Sequence, residues 1–161
     1  MNAKLDAETR IVEEDHLALK LWLRLLTCTN LVEARLRQNL RESFNSTLPR
    51  FDLLAQLDRH PGKLRMGQLS SLMMVSGGNV TGLVAKMEQE GLVSRTPLEE
   101  DRRTFEVGLT KKGKRYFDNM ARTHEAWIVD MFSELDHDQL EGLMEGLATL
   151  KGSVKSVQAD G

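Results

Sequence analysis

The sequence predicts a mainly α-helical protein: a winged helix-turn-helix with a small β-hairpin wing, flanked by long N- and C-terminal helices suited to dimerisation. Three observations predict it. Between Met66 and Thr110, two apolar faces at helical spacing (Leu69, Leu72, Met73 and then Val80, Leu83, Val84, Met87) are separated by Met74-Val75-Ser76-Gly77-Gly78. An alternating segment around the charged turn Leu98-Glu99-Glu100-Asp101-Arg102-Arg103 follows, as in a hairpin. On both sides lie long stripes of leucine and methionine. Helix, tight turn, helix and basic-tipped hairpin is the layout that sets one helix in a DNA major groove and one loop on the backbone or minor groove.

Taken in order, a first helix is expected from about Glu13 to Phe44, because Leu17, Leu21, Leu25, Cys28, Val32, Leu36 and Leu40 recur at steps of three or four. Trp22 and Leu26 widen that stripe, so the helix has more than one face to bury. Pro49 suits the first turn of a second helix running to about His60, with Thr47 or Leu48 near its cap and Pro61-Gly62 stopping it. Leu64-Arg65-Met66 reads as a short strand and Gly67 to Met73 as a scaffold helix. Ser76 is expected to cap a helix from about Gly77 to Glu90 that stops at Gly91. The hairpin takes Leu92 to Leu109. Thr110 then caps a helix continuing through Phe117, Met120, His124, Trp127, Ile128, Met131 and Leu135. Asp136 and Gln139 form a capping box for a last helix carrying Leu140, Leu143, Met144, Leu147, Leu150, Val154 and Val157. Met73, Met87, Met131 and Met144 fall on packing stripes. The 161 residues form one domain, with a DNA-binding lobe at 48–115 and helical dimerisation regions at 10–45 and 116–158, since their apolar surface exceeds what the lobe can cover.

Composition narrows the function. Hydrophobic residues make up 40% and charged residues 29%, a profile of a folded, helix-rich protein. No apolar run approaches the roughly 20 residues that cross a bilayer, and the start of the chain is polar and acidic, so a cytoplasmic protein without membrane partners is expected. The formal net charge is −2, but it is segregated. Residues 1–59 carry nine basic and nine acidic side chains, residues 60–115 ten and six, and residues 116–161 three and nine. The basic excess sits in the helix-turn-helix segment, as a phosphate-facing surface requires.

The polar side of the 77–90 helix carries Asn79, Gly82, Lys86 and Gln89, flanked by Thr81 and Ala85. Asn79 suits a paired contact with adenine, the Thr81 methyl a thymine methyl, Gly82 close approach, and Lys86 a phosphate. Ser76, Gly77 and Gly78 are expected to offer helix N-terminal amides to phosphate. Arg102 and Arg103 at the hairpin tip suit a narrow minor groove, with Asp101 orienting an arginine through paired hydrogen bonds. Lys111, Lys112, Lys114 and Arg115 open a helix where the dipole disfavours cations, which points to an outside anion such as backbone phosphate, with plain solvation as the alternative. A solvated amphipathic helix would explain the helix alone but not the arginines beside it.

The stretch Leu53 to Phe117 resembles the multiple-antibiotic-resistance regulator (MarR) family of bacterial transcription factors. The resemblance is carried by Val75-Ser76-Gly77-Gly78-Asn79-Val80-Thr81, Glu90-Gly91-Leu92-Val93-Ser94-Arg95, Asp101-Arg102-Arg103 and Leu109-Thr110-Lys111-Lys112-Gly113. It implies a MarR-like homodimer with two winged lobes on palindromic double-stranded operator DNA, mostly as a repressor. Release then follows when a small, often aromatic, anionic effector occupies a cleft between the dimer helices and the lobe. Leu48-Pro49-Arg50-Phe51-Asp52 with Ser76-Gly77-Gly78-Asn79 resembles members that control aromatic-acid catabolism, some of which sense acyl-CoA thioesters. On that reading Arg50 pairs with the effector's acid group, while Trp22 and Phe51 wall it. One departure is Glu99, where a second proline often follows the one matched by Pro97.

Rival readings are an enzyme, a metal- or redox-responsive regulator of the same fold, and a helical dimer that binds no DNA. No Gly-rich phosphate loop, Gly-x-Ser-x-Gly or His-Glu-x-x-His occurs, so no catalytic residue and no cofactor is expected. His16, His60, His124 and His137 are scattered, and no metal site is expected, although His16 lies beside Glu13, Glu14 and Asp15. Cys28 is the single cysteine; with Arg24 at i−4 it has the makings of a redox sensor, but its place on an apolar stripe favours packing.

Overall fold

The computed structural model describes residues 16–74 and 79–159. They run as α1 (Leu17–Phe44), α2 (Leu48–Arg59), β1 (Leu64–Arg65), α3 (Met66–Leu72), α4 (Val80–Gln89), β2 (Val93–Pro97), β3 (Phe105–Leu109), α5 (Lys111–Met131) and α6 (His137–Ala159). The mainly helical winged architecture expected from the sequence is present. The chain divides into two compact units, one ending at His124 and one beginning at Glu125.

In the first unit each boundary has a local cause. α1 ends at Asn45, whose φ of 47° is left-handed, a conformation asparagine tolerates better than most residues. Asn45 and Ser46 donate main-chain hydrogen bonds to Arg41 and Leu40, satisfying carbonyls the helix end leaves open. Thr47 caps α2 by accepting from the Arg50 N–H, and Pro49 sits in the first turn, where its missing N–H costs nothing. The Gln68 side chain reaches back to accept from the Arg65 N–H at the start of α3. Gly91, at φ 76°, closes α4 where a side chain would be strained.

The sheet is antiparallel in the order β1-β3-β2. Leu64 faces Val107 across one pair, and Arg95 faces Val107 across the other. Thr110 joins sheet to helix: its hydroxyl donates to the Gly91 carbonyl at 2.6 Å and accepts from the Gly113 N–H at 2.9 Å. The core of this unit contains Leu40, Leu53, Leu54, Leu69, Val84, Met87, Val93, Val107 and Met120, all essentially without solvent exposure. Burying each such side chain contributes on the order of 1.5–3 kcal/mol, so α4 is fixed through Val84 and Met87 while its other side stays free.

The expectations for the α5 end, Cys28 and Met144 need correction. The helix begun at Thr110 ends at Met131, not Leu135, because a turn intervenes in which Leu135 bonds back to Phe132. The reciprocal pair of Asp136 and Gln139, each side chain accepting the other's main-chain N–H, then starts α6 as expected. Cys28 is exposed rather than packed. Only Leu36 and Leu40 of the α1 stripe are buried; Leu17, Leu21, Trp22 and Leu31 are exposed. In the second unit Met144 is 71% exposed rather than part of a core. There α6 buries none of its described residues within the single chain, which leaves its apolar stripe open as a dimerisation region would. Periodicity detects an apolar face but not what covers it. Among the described residues no helix is long and apolar enough to cross a membrane.

Candidate nucleic-acid interface

α4 presents Asn79, Thr81, Gly82, Lys86 and Gln89 to solvent along one side, while Val84 and Met87 are buried on the other. The helix starts at Val80 rather than near Gly77, and its cap is Asn79 rather than Ser76. Serine and asparagine are equally good caps, so composition alone does not choose between them. The Asn79 Oδ1 accepts from the Gly82 N–H at 3.2 Å. Gly82 makes room for this cap, since a Cβ there would lie 3.3 Å from the Asn79 amide nitrogen. The Asn79 amide thus serves the helix while its NH2 keeps donor capacity toward a base. Ser76, Gly77 and Gly78 lie outside the described residues, and so does their expected phosphate contact.

The wing is a tight turn ordered by Asp101. Its Oδ1 accepts from the Arg103 N–H at 3.0 Å and its Oδ2 from the Thr104 hydroxyl at 2.9 Å, while Leu98 bonds across to the Thr104 carbonyl. Asp101 therefore shapes the main chain and does not grip a guanidinium, which corrects the expected paired bond to an arginine. Arg102 and Arg103 stand exposed at the tip. Arg95, which sequence reasoning passed over, ties wing to helix: its Nε is 3.2 Å from a Glu88 oxygen and its guanidinium lies over the Phe105 ring.

The cations at the start of α5 divide. Lys114 pairs with Asp58 and Asp118, which hold its pKa above the ordinary lysine value, the Asp118 hydrogen bond first. Lys112 donates to the Glu90 carbonyl at the end of α4, at 2.7 Å. Both have partners inside the protein, so the expectation of an outside anion is corrected for them. Lys111 and Arg115 remain exposed.

Beside the C-terminal end of α4 lies a cleft of about 660 Å³, lined by Phe44, Thr47, Arg50, Lys86, Glu90, Leu92, Lys112 and Tyr116 among others. Of the three residues expected around an effector, it contains only Arg50. Phe51 instead stacks on His124, with ring centroids 4.2 Å apart, and packs near Phe117. Trp22 is exposed on α1. Arg50 and Phe51 are neighbours on a helix and so point in different directions. The Arg50 guanidinium forks onto Glu90: Nη1 donates to Oε1 at 2.9 Å and Nη2 to Oε2. That bond, partly opposed by burial, raises the Arg50 pKa and lowers that of Glu90. Spacing along the chain gave no sign of this pair, because 40 residues separate its members.

A buried-backed helix with a polar outer side, next to a hairpin tipped by two exposed arginines, defines a winged helix-turn-helix protein. The MarR family model matches residues 46–105. The uncharacterized HTH-type transcriptional regulator YkoM of Bacillus subtilis is 33% identical over 113 residues, covering 70% of this chain and 71% of YkoM. The transcriptional activatory protein BadR of Rhodopseudomonas palustris is 32% identical over 66% of this chain and 61% of its own length. Among solved structures, Sco3205 of Streptomyces coelicolor, a MarR family transcriptional regulator in complex with DNA, has a TM-score of 0.73 at 21% identity, covering 89% of this chain and 94% of its own. The last likeness establishes the fold alone. The chain belongs to the MarR family.

Proposed function

We propose that the chain acts as a homodimeric repressor on palindromic operator DNA and is released by a small aromatic acid or its CoA thioester. The observation that carries the reading is the exposed side of α4 (Asn79, Thr81, Lys86) beside the exposed Arg102 and Arg103. Lys86 and the wing arginines position the protein on phosphate and groove, while Asn79 and Thr81 read base edges. Dimerisation is supported separately by the exposed apolar side chains of α1 and of α6. An effector is supported by the cleft at Arg50, whose volume and mixed lining suit a small organic anion.

The test is sequencing of DNA fragments selected from a random pool, followed by gel shifts at several salt concentrations. A palindrome with half-sites about one helical turn apart is expected, with affinity falling steeply as salt rises. Recovery of no enriched sequence would sink the reading. Leu147→Asp on α6 is expected to yield a monomer in sedimentation and to lose operator binding, since one lobe makes half the contacts. A reporter placed behind the selected site reads the sign of regulation; BadR is named an activator, and increased transcription would overturn the repressor assignment.

A further inference from the structure

An arginine fork holding a carboxylate is the arrangement by which proteins bind organic acids, and at Arg50 the carboxylate is the protein's own. The two partners are unequally placed. The Arg50 side chain is 11% exposed and packed at the start of α2, whereas Glu90 is 38% exposed at the end of α4. Glu90 is therefore the partner with a path into water, while Arg50 stays. The surroundings are over-supplied with positive charge. Arg50, Lys86 and Lys112 face Glu90 as the one acid of the cleft lining, and the Tyr116 ring with Phe44 and Leu92 supplies apolar wall. The Arg50 Nε is buried without a hydrogen-bond partner. Glu90 also marks where α4 is tied down, by its side chain to α2 through Arg50 and by its carbonyl to α5 through Lys112.

We propose that Glu90 is a tethered occupant of a carboxylate-binding site anchored by Arg50, and that a small organic carboxylate exchanging with it unfastens the end of the DNA-reading helix. This rests on the reading of the chain as an effector-responsive DNA-binding regulator and names how that response starts. The incoming carboxylate takes the Arg50 fork, its apolar part lies against Phe44, Leu92 and Tyr116, and Lys86 and Lys112 add to the positive field around its single charge. Glu90 moves to solvent and α4 loses its tie to α2. The tethered acid also sets sensitivity. If Glu90 fills the fork nine-tenths of the time, an outside acid binds about tenfold more weakly than to the empty site.

Benzoate is the probe, titrated calorimetrically into the DNA-free full chain at constant ionic strength. Glu90→Ala is expected to bind it about tenfold more tightly than wild type, Glu90→Gln to fall between, and Glu90→Ala with Arg50→Ala to lose binding. Equal affinities for wild type and Glu90→Ala, no binding by either, or binding kept in the double variant would each overturn the proposal. Acetate is expected to bind more weakly than benzoate; equal affinity would mean an adventitious small-anion site only. In wild type, saturating benzoate should speed amide hydrogen exchange over residues 86–92, and unchanged exchange would overturn the release of α4. Gel shifts without benzoate test DNA binding by itself, so failure of that reading is seen separately from failure of the exchange.

Discussion

The Asp52 carboxylate on α2 accepts a 2.6 Å hydrogen bond from the main-chain N–H of Met74, just past the end of α3. Asp52 is buried, and its other oxygen accepts from Gln56 one turn along the same helix. A buried acid is tolerated where hydrogen bonds replace water, and here those bonds secure the chain as it leaves the scaffold helix toward α4. Asp52→Ala leaves the Met74 N–H without that partner and should cost about 1–3 kcal/mol in urea denaturation. Asp52→Asn keeps an acceptor and should cost less. If Asp52→Ala melts like wild type, the contact does not support the turn.

The helices of this fold were legible because amphipathic spacing, Pro49, Gly91, Thr110 and the Asp136–Gln139 pair are local signals. The exposed stripe from Asn79 to Gln89 followed from the same periodicity. What sequence could not show is which distant groups meet. Arg50 with Glu90, Lys112 with the Glu90 carbonyl, and Asp52 with Met74 join residues 40, 22 and 22 positions apart. Periodicity shows that α1 and α6 carry more apolar surface than the lobe can cover, and most of those side chains are indeed exposed on the single chain. It does not show which residues of a partner would meet them.

Gly113 explains part of the Leu-Thr-Lys-Lys-Gly motif. A Cβ at that position would run into the carbonyl oxygen of Leu92, the residue just before β2, to which Thr110 donates its main-chain N–H. Because the obstacle is backbone, relief requires α5 and the sheet to move apart. Gly113→Ala should cost about 1–3 kcal/mol, as overpacking does, and lower the melting temperature by several degrees. A melting temperature equal to wild type would show that the junction yields freely. Gly142→Ala on α6, where a Cβ meets nothing, is the control.

Charge and shape can be separated in the wing. Arg103→Ala should weaken operator binding by about 1–3 kcal/mol and flatten its salt dependence. Asp101→Ala removes a negative charge, so a purely electrostatic wing would bind DNA more tightly. Because Asp101 holds the Arg103 N–H and the Thr104 hydroxyl, loosening the turn should win and affinity should fall, with the salt slope near that of wild type. Tighter binding by Asp101→Ala would show that the turn needs no such support.

His124 supplies a pH test. Burial against Phe51 holds its pKa below the ordinary histidine value, because the charged form is disfavoured there. The unfolded chain therefore binds a proton more readily than the folded one. The stabilisation is complete above the unfolded value of about 6.5 and is lost as pH falls through the lower folded value. Glu90, also depressed, acts in a separate window: its contribution is full above about 4.3 and lost at more acid pH. Between pH 7.5 and 5.5, wild type should lose more melting temperature than His124→Phe, which keeps an aromatic ring on Phe51 and cannot titrate. The difference should be gone above pH 7.5. Parallel losses in the two proteins across this range would place the acid sensitivity elsewhere than His124.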